Sequence, residues 1–231
     1  MADQPAPAPS GPWTDLALTL PMFLGYHLGV IFLPVRNAAD VVTSELIALS
    51  DNNILAYSGL TLAIGAVFVG SLIVLGRGKA LRWERFAFIA LEGVVYAVAM
   101  RFLASYVVGR MYLANGIHDP ATGLVMSLGA GFYEEIAFRV ILFGLGAKVV
   151  GLLFPVMVPF KQKLVTLGWA LIAAMVFSGW HYVGALGESF DAKSFVFRTV
   201  CGLVFTAIYR FRGFAPAVWT HALYDIWVLV L

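Results

Sequence analysis

A chain of 231 residues that is 61% hydrophobic and only 12% charged, with a formal net charge of +2, is not composed like a soluble domain, where about 25% of residues are charged. So small a charge argues against a nucleic-acid surface, and a single cysteine, Cys201, excludes an internal disulfide and any multi-cysteine metal site. The fold class that remains is all-α: a polytopic transmembrane helix bundle in a lipid bilayer.

Residues 1–15 open with MADQPAPAPSGP, a Pro/Ala-rich stretch expected to be a disordered arm. No Lys or Arg precedes the first apolar run and no small-residue cleavage site follows it, so it does not read as a signal peptide. Residues 16–231 read as a single transmembrane helical domain. Apolar segments fall at 16–35, 54–76, 86–109, 122–154, 164–186, 194–211 and 214–231. With about 20 residues needed per crossing, they predict about seven spanning helices. The fourth is too long for one crossing and is expected to end near Gly144, Gly146 and Gly151, with Pro155 forbidding continuation. Residues 36–53 are mixed and predict a short interfacial helix with Ala38, Val42, Leu46 and Leu49 on one face. No internal repeat is visible.

Basic residues cluster at Arg77, Lys79, Arg82 and Arg85, at Lys161 and Lys163, and at Arg210 and Arg212. In a seven-helix topology these three loops share one side. The positive-inside rule then puts the N-terminus inside and the C-terminus outside. The other side carries fewer, chiefly Arg36, Arg110, Lys193 and Arg198.

Three clusters interrupt the apolar segments, where an ionised group is costly unless paired or wetted. The first is GAGFYEEIAFR, residues 129–139. On an α-helix Glu135 and Arg139 are i,i+4 neighbours that can pair, while Glu134 points about 100° away and is free to face another element. Gly129 and Gly131 permit close helix approach or a kink. The second is Phe177-Ser-Gly-Trp-His181, and the third is His221-Ala-Leu-Tyr-Asp225. Each admits a structural reading: an ion pair, a satisfied interfacial histidine, a His–Asp packing bond. Together they place carboxylates and imidazoles on three helices around a central polar cavity, the materials for a general base and oxyanion donors.

Outside these clusters, Glu92 and Arg101 read as packing partners or snorkelling residues, with Glu92 alternatively a second carboxylate of the site or a counter-ion for Arg139. Arg198 reads the same way. His27, between Gly25 and Gly29, fits a small-x-x-x-small packing motif. His118, before Asp119 and Pro120, reads as a loop residue. Cys201 reads as a buried, inert thiol.

In their order and spacing, Glu134-Glu135-x-x-x-Arg139, Phe177-x-x-x-His181 and His221-x-x-x-Asp225 resemble the CAAX prenyl endopeptidase and bacteriocin-processing family of intramembrane glutamate proteases. The resemblance covers about residues 120–231. It implies that Glu134, with His181, activates a water, that His221 and position 225 stabilise the oxyanion, and that Glu135 and Arg139, with Phe177, support the site. The substrate would be a membrane-associated protein or peptide cut near its end, and the location a bacterial or archaeal cytoplasmic membrane. Position 225 departs from the family, being Asp where the endopeptidases usually carry Asn. An ionised Asp cannot donate to an oxyanion, so Asp225 is either protonated or orients His221.

No cofactor is expected. A zinc site built from Glu134, His181, His221 and Asp225 is the alternative, although no His-Glu-x-x-His pair is present. A non-catalytic scaffold or bacteriocin-immunity-type protein that binds a partner in the same polar pocket is the competing class. A proton-coupled transporter is the third, against which stands the lack of a repeat. Heights along the helices pose a difficulty. At a 1.5 Å rise His181 lies about 27 Å beyond Lys163 and His221 about 12 Å beyond Arg212, so the motifs meet at one level only if helices tilt, kink or start elsewhere.

Overall fold

Thr19 breaks the first apolar segment, its hydroxyl donating to Leu16 O at 2.8 Å. Helix α1 (Pro12–Leu18) therefore precedes α2 (Leu20–Phe32). The computed structural model describes residues 12–33, 35–51, 53–76, 82–109, 119–153, 159–184 and 187–231. Most of the expected arm, much of the basic loop after residue 76, Arg110 and His118 lie outside them. Helix α1 takes in Pro12–Asp15, the end of the stretch expected to be an arm.

Asp40 caps α3 (Val41–Leu49) by accepting from Thr43 N–H at 2.9 Å. Of the face expected there, Leu46 is buried, while Val42 and Leu49 are exposed and Ala38 lies before the helix. Asn53 caps α4 (Ile54–Leu75), and α5 (Trp83–Val108) ends at Gly109 in the left-handed region, φ 64°. Next come α6 (Pro120–Gly129), a π-helical segment (Ala130–Leu145) and α7 (Gly146–Leu153) in one continuous run. Asp119, at the start of α6, accepts from Thr122 Oγ1 and from the Thr122 and Ala121 N–H groups, which hold its carboxyl below the usual carboxylate range. Helices α8 (Pro159–Trp180), α9 (Ala192–Arg212) and α10 (Phe214–Leu229) follow.

Each of the seven expected apolar segments is helical. Five stretches among the described residues are long and apolar enough to cross a bilayer: Ile54–Val74, Trp83–Val108, Pro120–Leu153, Phe160–Trp180 and Ala192–Arg212. Leu20–Phe32, with 13 residues, and Phe214–Leu229, with 16, fall short of that length. The fourth segment runs through Gly144 and Gly146 and ends at Leu153, two residues past Gly151; Pro155 lies outside the described residues. An added Cβ at Gly146 would lie 2.7 Å from Trp169 Cζ2, so this residue admits a neighbouring indole and does not stop the helix.

Helix α10 is the hub, packing on α5, α6, the π segment and α9. Gly213, at φ 105°, turns the chain sharply from α9 into α10, and Asp15 accepts from Phe214 N–H at 3.0 Å. Burial of its first half, Ala215–Val218 and Thr220–Ala222, suits α10 to carry His221 among neighbouring helices. One apolar cluster joins α2 to the π segment through Phe23, Tyr26, Phe132 and Tyr133. Another joins α5, the π segment, α8 and α9 through Met100, Phe138, Phe177 and Phe205. The site lies between them.

Candidate active site

The π segment and α10 approach closely. A Cβ on Gly131 would sit 2.7 Å from Ala222 Cβ and 2.8 Å from Val218 O. Only glycine permits that separation, and it brings α10 side chains within reach of the carboxylates. Glu135 Oε1 lies 2.7 Å from His221 Nδ1, a hydrogen bond, and 3.1 Å from Arg139 Nη1. The expected i,i+4 ion pair is present and fully buried. The Arg139 guanidinium also stands 4.2 Å from the Phe177 ring and 4.9 Å from the Phe205 ring. A weakly hydrated planar cation between two aromatic faces suits a site without bulk water.

Glu134 is held differently. Its Oε1 accepts from Asn37 Nδ2 at 2.8 Å, and its buried Oε2 has no hydrogen-bond partner. That second oxygen is 3.9 Å from His221 Nε2, and Asp225 Oδ2 is 3.6 Å from the same nitrogen. The two glutamates thus flank opposite nitrogens of one imidazole, and Glu134 also meets the separate neighbour it was expected to be free to face, Asn37. The π winding supplies the reason. Bonds of i→i+5 type widen the turn, so successive side chains diverge by less than the α-helical angle.

His221 stacks on Phe205, centroids 4.5 Å apart, and meets the Phe177 ring edge-on at 5.9 Å. Phe177 O accepts from His181 Nδ1 at 3.0 Å. Because a carbonyl only accepts, Nδ1 carries the hydrogen, and a neutral ring leaves Nε2 as the acceptor. No hydrogen bond joins His181 to Glu134 among the described residues.

All four candidate residues, Glu134, His181, His221 and Asp225, line one cavity of about 720 Å³. The motifs therefore meet in one cavity despite their different distances along α8 and α10 from the basic residues. The cavity reaches beyond the three expected helices to α9, through Ser194, Arg198 and Cys201, and to Asn37 before α3. Its polar end is lined by Glu188, Ser189 and Asp191 on the connection between α8 and α9. Arg198 there donates to both Glu188 oxygens, at 2.7 and 2.8 Å. Cys201 is a buried free thiol.

Other residues fall elsewhere. Glu92 is neither a second site carboxylate nor a counter-ion for Arg139. It accepts from Arg212 Nε at 2.5 Å and from the Tyr96 hydroxyl at 2.8 Å. Arg101 lies over the Trp227 ring at 4.4 Å. His27 shares a 2.6 Å hydrogen bond with the Tyr133 hydroxyl. Among the described residues no group of three His, Cys, Asp or Glu side chains is arranged to hold a metal ion. Sequence reasoning missed Asn37. A lone Asn in a mixed segment carries no motif, and no signal could have singled it out.

An integral membrane bundle with carboxylates and imidazoles around one cavity defines a class of protein. Residues 116–227 match the family described as type II CAAX prenyl endopeptidase Rce1-like, and over that region the chain is similar to this family of membrane proteases. No curated protein and no solved structure matches the chain.

Proposed function

We propose that the protein is an intramembrane glutamate-type endopeptidase that cuts a membrane-associated protein or peptide near its end. The observation that carries this reading is Glu134, with one oxygen anchored by Asn37 and the other free of hydrogen bonds, 3.9 Å from His221 Nε2, in a cavity that His181 also lines. A water in that cavity would be oriented by His181 Nε2 and would give a proton to Glu134 Oε2 as its oxygen bonds to the substrate carbonyl carbon. The developing oxyanion would accept from His221 Nε2–H, the ring being an imidazolium whose Nδ1–H goes to Glu135. The proton on Glu134 then passes to the leaving amine as the C–N bond breaks. Asp225 does not orient His221 through Nδ1 in this scheme, since Glu135 holds that atom. Glu135, Arg139, Phe177 and Phe205 fix the ring.

No resident metal is needed, and dialysis against a chelator should leave turnover unchanged. Loss of activity restored by zinc would favour the metal alternative. The basic ends of α8 and α9 lie opposite the Glu188–Asp191 connection, so an inside N-terminus would point the cavity's polar end away from the cytoplasm. Replacing Glu134 with Gln tests the chemistry. Turnover should fall about a hundredfold or more, with helical content unchanged and uncleaved precursors accumulating in the membrane proteome. Full activity in this variant would refute the mechanism and leave the scaffold reading.

A further inference from the structure

The matched family region begins at residue 116, yet one hydrogen bond to the proposed base comes from far upstream. Asn37 is buried, and its carboxamide is held in one orientation. Its Oδ1 accepts from Ala39 N–H at 2.8 Å, and a backbone N–H can only donate, so Oδ1 is the oxygen and Nδ2 must face Glu134. Asn37 N–H donates to the Tyr26 hydroxyl at 3.0 Å, and that hydroxyl donates to Asp40 Oδ2 at 2.6 Å. Asp40 in turn caps α3. A chain of fixed partners therefore runs from a helix cap to a carboxylate oxygen in the cavity.

Asn37 also lines the cavity, and among the described residues no other Asn or Gln does so. Position 225 is Asp. The site thus contains three carboxylates, Glu134, Glu135 and Asp225, and Arg139 is engaged by Glu135. Glu134 Oε1 receives its one hydrogen bond from Asn37. A neutral donor on one oxygen fixes the carboxylate plane and leaves the other oxygen to the cavity.

We infer that Asn37 is a positioning residue for Glu134, so that the segment between α2 and α3 completes the active site assembled by the Rce1-like region. The inference rests on Glu134 being the base, and two readouts separate the two ideas. The first is infrared spectroscopy of the full chain in lipid, with the Glu134 carboxylate band assigned as the one that Glu134→Gln removes. In Asn37→Ala that band should shift, because one oxygen loses its donor. Asn37→Asp keeps the shape and the Ala39 bond but removes the donor, and it should shift the band as well even if the Ala variant fails to fold. An unmoved band in a folded variant overturns the inference. The second readout is turnover of a substrate recovered from the precursor search. Asn37→Ala should lower kcat about tenfold or more with KM little changed, and Asn37→Asp should not restore it. Equal kcat in wild type and both variants also overturns the inference. A shifted band alongside undiminished cleavage in Glu134→Gln would sink the protease mechanism and leave Asn37 as the residue that orients Glu134.

Discussion

Arg139→Met removes the guanidinium paired with Glu135 and leaves a fully buried carboxylate with His221 as its remaining ion-pair partner among the described residues. Breaking a buried pair from one side costs about 3–5 kcal/mol. The guanidinium's contacts with the Phe177 and Phe205 rings are each worth up to about 2 kcal/mol when desolvated. These contributions share one side chain and do not simply add, and Met keeps some contact with the rings. The expected destabilisation is therefore about 4 kcal/mol, measured by equilibrium unfolding in mixed micelles. The double variant Arg139→Met, Glu135→Gln should recover most of that loss, because a neutral amide side chain carries no unpaired charge and can still accept from His221 Nδ1. Arg139→Lys should fall between, since an ammonium pairs with Glu135 but cannot stack as a plane on both rings. A cost below about 1 kcal/mol for Arg139→Met, on the scale of exposed pairs, would refute the reasoning. So would a double variant that loses the sum of its singles.

Gly131→Ala should part the π segment from α10, since Val218 O and Ala222 block a Cβ. Overpacking costs about 1–3 kcal/mol, and cleavage should drop more than global stability does, as read by parallel turnover and unfolding assays. Asp225→Asn should retain activity within about tenfold if position 225 assists the oxyanion, because the amide can donate where an ionised carboxylate cannot; complete loss in a folded protein would contradict that role. Trp169→Phe removes the indole N–H that donates to Leu142 O at 2.9 Å, where the winding returns from i→i+5 to i→i+4 and a carbonyl is released. A cost of about 1–3 kcal/mol for the unsatisfied oxygen, with lowered turnover, is expected in the same two assays.

The helical segments were legible because each is an uninterrupted apolar run, a signal that survives without tertiary information. The three motifs were legible because an ionisable group in such a run is costly and so draws notice. Three features escaped. The glycines at 144 and 146 looked like a helix end, but their purpose is to admit neighbours, which only packing reveals. Glu92 looked available to the site until Arg212, 120 positions away, was found beside it. Asn37 gave no sign, because its role depends on the Oδ1–Ala39 bond and the Tyr26–Asp40 pair, which become adjacent only after folding.

The adjacent glutamates show why composition and spacing could not assign roles. Glu134 and Glu135 are chemically identical and one residue apart. Glu135 is consumed by structure: Arg139 stands 3.1 Å from it and His221 Nδ1 2.7 Å. Glu134 has one neutral donor, and its other oxygen makes no hydrogen bond among the described residues and lies 3.9 Å from His221 Nε2. A carboxylate that must take up and release a proton in each cycle is poorly served by a tight ion pair, which would hold it ionised. The asymmetry arises from the wide winding of the π segment, which lets both carboxylates reach His221, and from Arg139, whose 3.1 Å contact goes to Glu135. Exchanging the roles would require moving the cation, so the proposed base is set by where Arg139 is sandwiched between Phe177 and Phe205.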